Sequence, residues 1–335
     1  MKNSDPANAR EPRIARRDVL GLGFGVSLGL APTLALADAY PSRPVRLVVP
    51  FPAGGSVDQV ARLVQRQVQE QLGQAVVIDN RPGAGGTIGA GEVARSKPDG
   101  YTLLMVLDSH AAAHHIFKQV PYDPLKSFEY LTLMVAAPVV VITSKSSPAN
   151  TLAEMIELGK RKEGGLTFAS AGTGSPAHLS ALALAKRAGV KATHVPYGGG
   201  GPMIIAVARG EVDYAVSGIS NVAGQLKGGL IKGLAVGSKA RTKLTGSMPT
   251  IAETFPGFES TFWVGLVAPA GLPRDVAQKI TSAMQGALRT PELASRLASD
   301  GFDVVNSDSG EFTDRFRSDS KSFGALISQE QIKVD

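Results

Sequence analysis

Ser175 and His178 stand three residues apart where a helix is expected to begin. A serine beside an imidazole could serve a nucleophilic hydrolase. The elbow that exposes such a serine has the form G-x-S-x-G, however, and Gly172-Thr173-Gly174 has threonine in the serine's place. A capping serine and a polar first-turn histidine explain the same pair, so hydrolysis using Ser175 and His178 stands as the alternative reading. His110, His114 and His115 carry metal-ligating side chains, but their spacing is not H-E-x-x-H and no carboxylate completes a set. His114 and His115 are expected on the surface or in a loop, and neither a metal nor a cofactor is expected. The third set is a pair of glycine-rich loops, Ala53-Gly54-Gly55 and Ala171-Gly172-Thr173-Gly174. Such loops have no side-chain chemistry, but they leave backbone N–H groups free at a helix start, where the helix dipole favours an anion.

Each loop needs a strand before it and a helix after it. Leu47, Val48 and Val49 form a short buried strand bounded by Pro50 and Pro52. Ser56 is expected to cap the following helix, with Asp58 in its first turn. Apolar positions 57, 60, 61, 64, 68 and 72 repeat at helical spacing, and Gly73 ends the run. The second unit begins at Leu166-Thr-Phe-Ala-Ser170; Ser175 caps, Pro176 takes the first helical position, and Gly189 closes the helix. Asp58 is at odds with an anion site. A first-turn carboxylate favourable to the dipole explains it, and it could also order waters that bridge to a ligand. Phe51 reads equally as a core residue or a lid, and Trp263 as core or hinge packing.

The 335 residues leave room for two lobes, and 43% hydrophobic with 19% charged residues is a globular balance. The chain has no cysteine, which excludes disulfides, zinc–thiolate sites, iron–sulfur clusters and cysteine nucleophiles. Residues 1–37 read as an export signal: five basic residues, an apolar stretch from Leu20 to Leu36, and Ala35-Leu-Ala37 before Asp38. Arg16-Arg17 resembles a twin-arginine signal. Removing this segment takes the formal charge from +6 to +4, an excess suited to small anions but too dispersed for nucleic acid.

Along the chain, strands at 75–79 and 101–106 alternate with helices, which argues for a parallel sheet whose ligand end is the carboxyl end of the strands. Gly83, Gly85 and Gly89 miss the dinucleotide spacing by one residue. Ser109 and His110 follow the third strand and are expected beside Gly54 and Gly55. The apolar run from Val135 to Ile142 is expected to cross between lobes, and Phe262 to Ala268 to cross back. Thr151 and Glu154 stand at capping-box spacing. Helices are expected over 202–209, 222–227, 273–288, 291–299 and 312–327.

With these stretches assembled, the chain resembles the Bug family, the extracytoplasmic solute receptors of tripartite tricarboxylate transporters. The similarity runs from about Tyr40 to the C-terminus. It rests on Pro44-Val-Arg-Leu-Val-Val-Pro-Phe-Pro-Ala-Gly-Gly-Ser-Val-Asp58, Asn80-Arg-Pro-Gly-Ala-Gly-Gly-Thr-Ile-Gly89, Pro98-Asp-Gly-Tyr-Thr-Leu-Leu104 and Tyr122-Asp-Pro124. It continues through Ala169-Ser-Ala-Gly-Thr-Gly-Ser175 with His178, Val195-Pro-Tyr197, Gly210-Glu-Val-Asp213, Met248-Pro-Thr250 and Gly265-Leu-Val-Ala-Pro-Ala-Gly271. Any one piece is common, and the ordered series is specific.

The resemblance implies an α/β, two-lobed periplasmic binding protein of type II-like build. Each lobe would be a mostly parallel sheet flanked by helices, with the cleft between lobes. The expected division is residues 38–142 with 250–335 for lobe 1 and 143–249 for lobe 2. It also implies a monomeric receptor, without enzymatic activity, that closes on a small organic carboxylate and makes transient contact with membrane transporter subunits. A receptor serving a signalling sensor would use the same closed surface. Carried onto this sequence, the ligand-binding residues are Phe51, Ala53, Gly54, Gly55 and Asp58 from the first loop. The second loop contributes Ser170, Ala171, Gly172, Thr173, Gly174 and His178. Ser109, His110, Tyr197, Gly198, Gly199, Gly200, Ser217 and Asn221 would line the outer cleft. The sequence departs from the family at Gly198, where many members carry a larger, often basic residue. With the acid-free stretch Ser217 to Asn221, this favours a monocarboxylate or an acid with a bulky apolar or aromatic tail over citrate and acidic amino acids.

Overall fold

The computed structural model describes residues 40–242, 245–329 and 331. The expected signal segment, its paired arginines and its cleavage site lie outside the described residues.

The first sheet is built around β1 (Val45–Val49), which pairs in parallel with β2 (Val76–Asn80) on one side and β3 (Thr102–Leu107) on the other. A central parallel strand is covered on both faces, which is why Leu47, Val48 and Val49 form an unbroken apolar run. Beyond β3 lies β9 (Thr261–Pro269), antiparallel to it, and then the first part of β4 (Phe128–Ser144), antiparallel to β9. A two-residue strand, β10 (Asp303–Val304), edges β4.

At Val139, β4 leaves β9 and joins a second sheet, pairing there with β7 (Tyr214–Gly218) and β8 (Ile231–Val236). Beside β7 lie β5 (Leu166–Ser170) and then β6 (Ala192–Pro196), all three parallel. The orders are therefore β2-β1-β3-β9-β4 and β6-β5-β7-β4-β8. Leaving aside the two-residue β10, which runs antiparallel to β4, they are one topology used twice, with a single antiparallel strand inserted in an otherwise parallel sheet. The expected mostly parallel lobes are present, as is the crossing near Val135 to Ile142.

The return crossing differs from expectation. Strand β9 lies wholly in the first sheet, and the chain comes back just before it. There Gly237 N–H donates to Val139 O (2.7 Å) and Ser260 N–H donates to Gly237 O (2.8 Å). Ile251 on the short helix α8 (Ile251–Thr254), with Phe255 and Phe258, packs in the second lobe's core. We therefore propose that, among the described residues, lobe 1 comprises 40–138 and those from 260 onward, and lobe 2 those between 139 and 259.

Helices cover both sheets. Along α1 (Ser56–Leu72), Val57, Val60, Ala61, Val64, Val68 and Leu72 are buried, sharing a core with Ile280, Ala283, Met284 and Leu288 of α9 (Arg274–Leu288). Gly73 ends α1 in the left-handed region (φ 71°), as its position predicts. Helix α11 (Ser309–Gln329) buries Phe312 and Phe316 on the other face, against Trp263 and Tyr130. Gly265 of β9 is glycine because the Phe312 ring occupies the place of its side chain. Trp263 is fully buried and its indole N–H donates to Asp319 (2.6 Å), confirming core packing. The remaining helices are α2 (Thr87–Ala94), α3 (Ser109–Ile116), α4 (Leu152–Arg161), α5 (Pro176–Ala188), α6 (Gly200–Arg209), α7 (Ile219–Lys227) and α10 (Pro291–Ser299). Helices α6 and α7 begin two and three residues earlier than the apolar spacing predicts: Gly200 and Gly201 open the first turn of α6, and Gly218 is the N-cap of α7. Thr151 caps α4 by accepting from Glu154 N–H, but the Glu154 carboxylate accepts from Asn150 N–H rather than closing a box. The full box is at Thr250 and Glu253 of α8.

Candidate ligand-binding site

Both glycine loops are held by the same device. In the first, Gly54 adopts a left-handed conformation (φ 82°) and its N–H donates to Asp58 Oδ2 at 2.9 Å. Asp58 is 2% exposed, and its two oxygens also accept from Arg62 Nε (2.8 Å), Arg62 Nη2 (3.0 Å) and Asn80 Nδ2 (3.0 Å). Asn80 further donates to Phe51 O (3.1 Å), which ties the loop to the end of β2. Burial alone would raise the Asp58 pKa. The bonds from Arg62, Gly54 and Asn80 outweigh it and hold the carboxyl below its usual range. Asp58 is thus committed to bracing its own loop. The N-cap of α1 is Gly55 rather than Ser56, and no side chain caps the helix, so the Ser56, Val57 and Asp58 amides have no acceptor among the described residues.

In the second loop, Gly174 is left-handed (φ 77°) and its N–H donates to His178 Nδ1 at 3.0 Å. The brace again comes from four residues on. His178 Nδ1 accepts, so the ring is neutral there; burial, then the neighbouring His194, lowers its pKa to about 4. The rings of His178 and His194 stack at 3.8 Å, and Phe168 stacks on both. Ser175 caps α5 as predicted, accepting from His178 N–H (3.3 Å). Its hydroxyl meets the backbone of His178 and not the ring, so the Ser175–His178 geometry a hydrolase needs is not formed. Ser170 lies 2.6 Å from His194 Nε2, but Ser170 Oγ donates to Gly172 O (3.0 Å) and accepts from Gly172 N–H (3.1 Å). That oxygen is saturated, fully buried, and shapes the loop.

The two loops belong to different lobes, and side chains span the gap beside them. Ser56 Oγ donates to Asn221 Oδ1 at 2.8 Å, joining the starts of α1 and α7. A side chain on Gly174 would meet Ile116 of α3 at 2.7 Å, and Ile116 packs with Leu179 of α5 and Ile327 of α11. Tyr197 N–H donates to Ser170 O (3.0 Å), which sets the Gly198–Gly200 run beside the second loop. A Cβ at Gly198, Gly200 or Gly201 would meet no atom within 4 Å, and φ is not positive at these three. These glycines are therefore imposed by neither turn nor packing. Ser217 is sealed in β7, opposite Val140.

Ser109 and His110 lie beside Pro50 and Phe51, at the end of β1 ahead of the first loop. With Pro50, Phe51, Gly85 and Gly86 they line a cavity of about 10 Å³. Phe51 is half-buried, packs against the core and sets its ring over Gly86. Burial, then His114, lowers the His110 pKa to about 3. Asp108 caps α3 through Ser109 N–H (2.9 Å), and burial, then Asp319, raises its pKa to about 8. His114 and His115 sit on the last turn of α3, not in a loop, and both face Ser320. No group of side chains suited to a metal ion occurs among the described residues. Sequence reasoning missed Arg62, Asn80 and His194; only Arg62, four residues after Asp58 on the same helix, left a readable signal.

The family described as "Tripartite tricarboxylate transporter family receptor" matches residues 60–332. The chain belongs to this receptor family. A relative from Pseudomonas sp. (strain P51), the UPF0065 protein in the tcbD-tcbE intergenic region, is 33% identical over 96% of this chain and 96% of its own length. Among solved structures, the periplasmic binding protein BugD is 32% identical with a TM-score of 0.80, covering 88% of this chain and 100% of BugD. The structure of MatC from Rhodopseudomonas palustris with bound malate is also 32% identical, with a TM-score of 0.79, covering 86% of this chain and 100% of that one. The α/β, two-lobed build and the Bug-type resemblance are thereby shown for this receptor. No helix among the described residues is long and apolar enough to cross a membrane.

Proposed function

We propose that this receptor is an exported, non-enzymatic protein that closes on one carboxylate of a small organic acid and delivers it to a tripartite tricarboxylate-type transporter. The observation that carries the reading is the duplicated brace. Each loop fixes a left-handed glycine through a side chain four residues on, at 2.9 Å in one and 3.0 Å in the other. That rigidifies the start of a helix without occupying all its amides. At α1 the uncapped first-turn N–H groups, and at both loops the helix dipole, then favour an anion and add no fixed charge of their own; at α5 Ser175 already takes the His178 amide and Pro176 has none, so the second loop contributes chiefly its own backbone. Phe51, Ala53, Gly54 and Gly55 shape one wall; Ser170, Ala171, Gly172, Thr173 and Gly174 shape the other. Asp58 and His178 act behind these walls as positioning residues. MatC holding malate supports a carboxylate as the ligand class. The family and the signal-like residues 1–37 support a periplasmic location after cleavage near Ala37.

Thermal unfolding against a panel of mono-, di-, tri- and aromatic carboxylic acids, with sugars and amines as comparators, tests this. At about a hundred times the dissociation constant a native-state ligand adds roughly 2.7 kcal/mol, or roughly 5 °C for a chain of this size. Shifts confined to acids are expected. Shifts confined to sugars or amines would overturn the reading.

A further inference from the structure

The cavity beside Phe51 has a composition that the carboxylate reading does not use. It is lined by Pro50, Phe51, Ala90, Val106 and Leu107 with the backbone of Gly85 and Gly86, and its polar side chains are Ser109 and His110. No charged group lines it. Its volume of about 10 Å³ is close to one water-sized sphere. Ser109 and His110 are each 6% exposed, and Ser109 Oγ and His110 Nε2 have no hydrogen-bond partner among the described residues.

The state of His110 follows from what surrounds it. Its ring is stacked on Tyr122 (5.3 Å) and meets Phe128 (5.2 Å) and Phe316 (5.8 Å), an apolar box that keeps the imidazole neutral. Its Nδ1 lies 3.3 Å from Tyr122 Oη. The bond to Tyr122 runs either way with the tautomer, so Nε2 is left as one unmatched donor or acceptor, and a hydroxyl answers either. Ser109 Oγ can donate or accept beside it. Two buried neutral groups without partners cost free energy until an oxygen reaches them.

From this geometry we infer, building on the proposed carboxylate site, that the cavity is a tail subsite for one uncharged oxygen, so the preferred ligand is an acid bearing a hydroxyl or carbonyl distal to its bound carboxylate. A second carboxylate does not fit: it needs room for two oxygens, and its charge would be buried without a cation. Arg62, on the helix that follows the first loop, is already paired with Asp58. A purely apolar tail leaves Ser109 and His110 unpaired, which a site built around hydrogen bonds penalises. The open space beside Gly198, Gly200 and Gly201 gives the body of the ligand room on the opposite lobe.

The test is calorimetric titration of the purified protein with matched trios: C4 to C8 monoacids, their ω-hydroxy acids and the α,ω-diacids, together with benzoate, 4-hydroxybenzoate and terephthalate. The hydroxy member of at least one trio is expected to bind about tenfold tighter than both its parent and its diacid, the contribution of one added neutral hydrogen bond. In Ser109→Ala and in His110→Gln the hydroxy-to-parent ratio should respond differently. It falls towards one in the first and is largely retained in the second, whose amide reaches the place of Nε2. Retained melting temperatures show that both variants fold. Diacids binding tightest, or a hydroxy preference that survives Ser109→Ala and His110→Leu together, overturns the tail subsite and leaves the carboxylate reading standing. No binding by any member, before or after unfolding and refolding, overturns both.

Discussion

Replacing Asp58 with alanine should loosen the whole first loop, and the cost can be worked from its four bonds. Gly54 N–H and the Asn80 amide, at 2.9 and 3.0 Å, lose their acceptor in a half-buried place; each orphaned donor costs about 1 to 2 kcal/mol. Arg62 is 55% exposed on its side chain and regains water, so it adds little to the loss. The total is about 3 kcal/mol, which lowers the melting temperature by roughly 6 °C. Without the brace the left-handed turn at Gly54 is no longer fixed, and affinity for the acid ligand should fall at least tenfold. Arg62→Ala should lower the melting temperature far less than Asp58→Ala, because its side chain is solvated and Gly54 and Asn80 keep their acceptor. The assay is thermal unfolding of both variants, paired with calorimetric titration of the acid that stabilises the wild type. Acid titration offers a second readout. The folded pKa of Asp58 is depressed, so its stabilisation is present above the unfolded value, roughly 3.9, and is lost as pH falls through the folded value. An Asp58→Ala variant that melts within about 1 °C of wild type and keeps its affinity would refute the brace.

His178 gives a pH signature of its own. Its folded pKa is lowered to about 4, so its stabilisation is complete above the unfolded value of roughly 6.5 and is lost as pH falls towards the folded value. His178→Gln, whose carbonyl can still accept from Gly174, should flatten the melting curve between pH 6.5 and 4. Asp108 has the opposite sense: with a folded pKa raised to about 8, it costs stability increasingly as pH rises from 4 to 8, so Asp108→Asn should raise the melting temperature by more at pH 8 than at pH 5. Gly174→Ala meets both a left-handed backbone and Ile116 at 2.7 Å. It should lose about 2 kcal/mol in thermal unfolding, and Ile116→Ala should recover only the steric part. Ser56→Ala removes the bond to Asn221 and should weaken ligand binding about threefold by calorimetry, with little change in melting temperature because both side chains are exposed.

Much of this fold was legible because its signals are local. Strand β1 shows as an unbroken Leu-Val-Val run, α1 as six apolar positions on one face, and α5 by Ser175, Pro176 and Gly189 at its ends. The crossing by β4 showed as the long apolar run from Val135 to Ile142. The return before β9 did not, because it is made by single backbone bonds among Val139, Gly237 and Ser260, residues far apart in the chain. The glycine loops were legible as places where a backbone can approach an anion. What braces them was only half visible. Asp58 looked wrong for an anion site until Arg62 and Asn80 showed where its charge goes, and Asn80 comes from another strand. The Ser175–His178 pair suggested chemistry that a rotation of the ring towards Gly174 N–H removes. His194 reaches Ser170 only through the parallel pairing of β5 and β6, which no spacing in the sequence reports.

The central claim is that an ionised carboxylate is what the paired loops hold. Calorimetric titration of unfolded and refolded protein, with the acid giving the largest thermal shift and with that acid's methyl ester, tests it most directly. The account predicts that esterification weakens binding at least a hundredfold, about 2.7 kcal/mol, because the helix amides lose their anion. An ester that binds as tightly as its acid would contradict it.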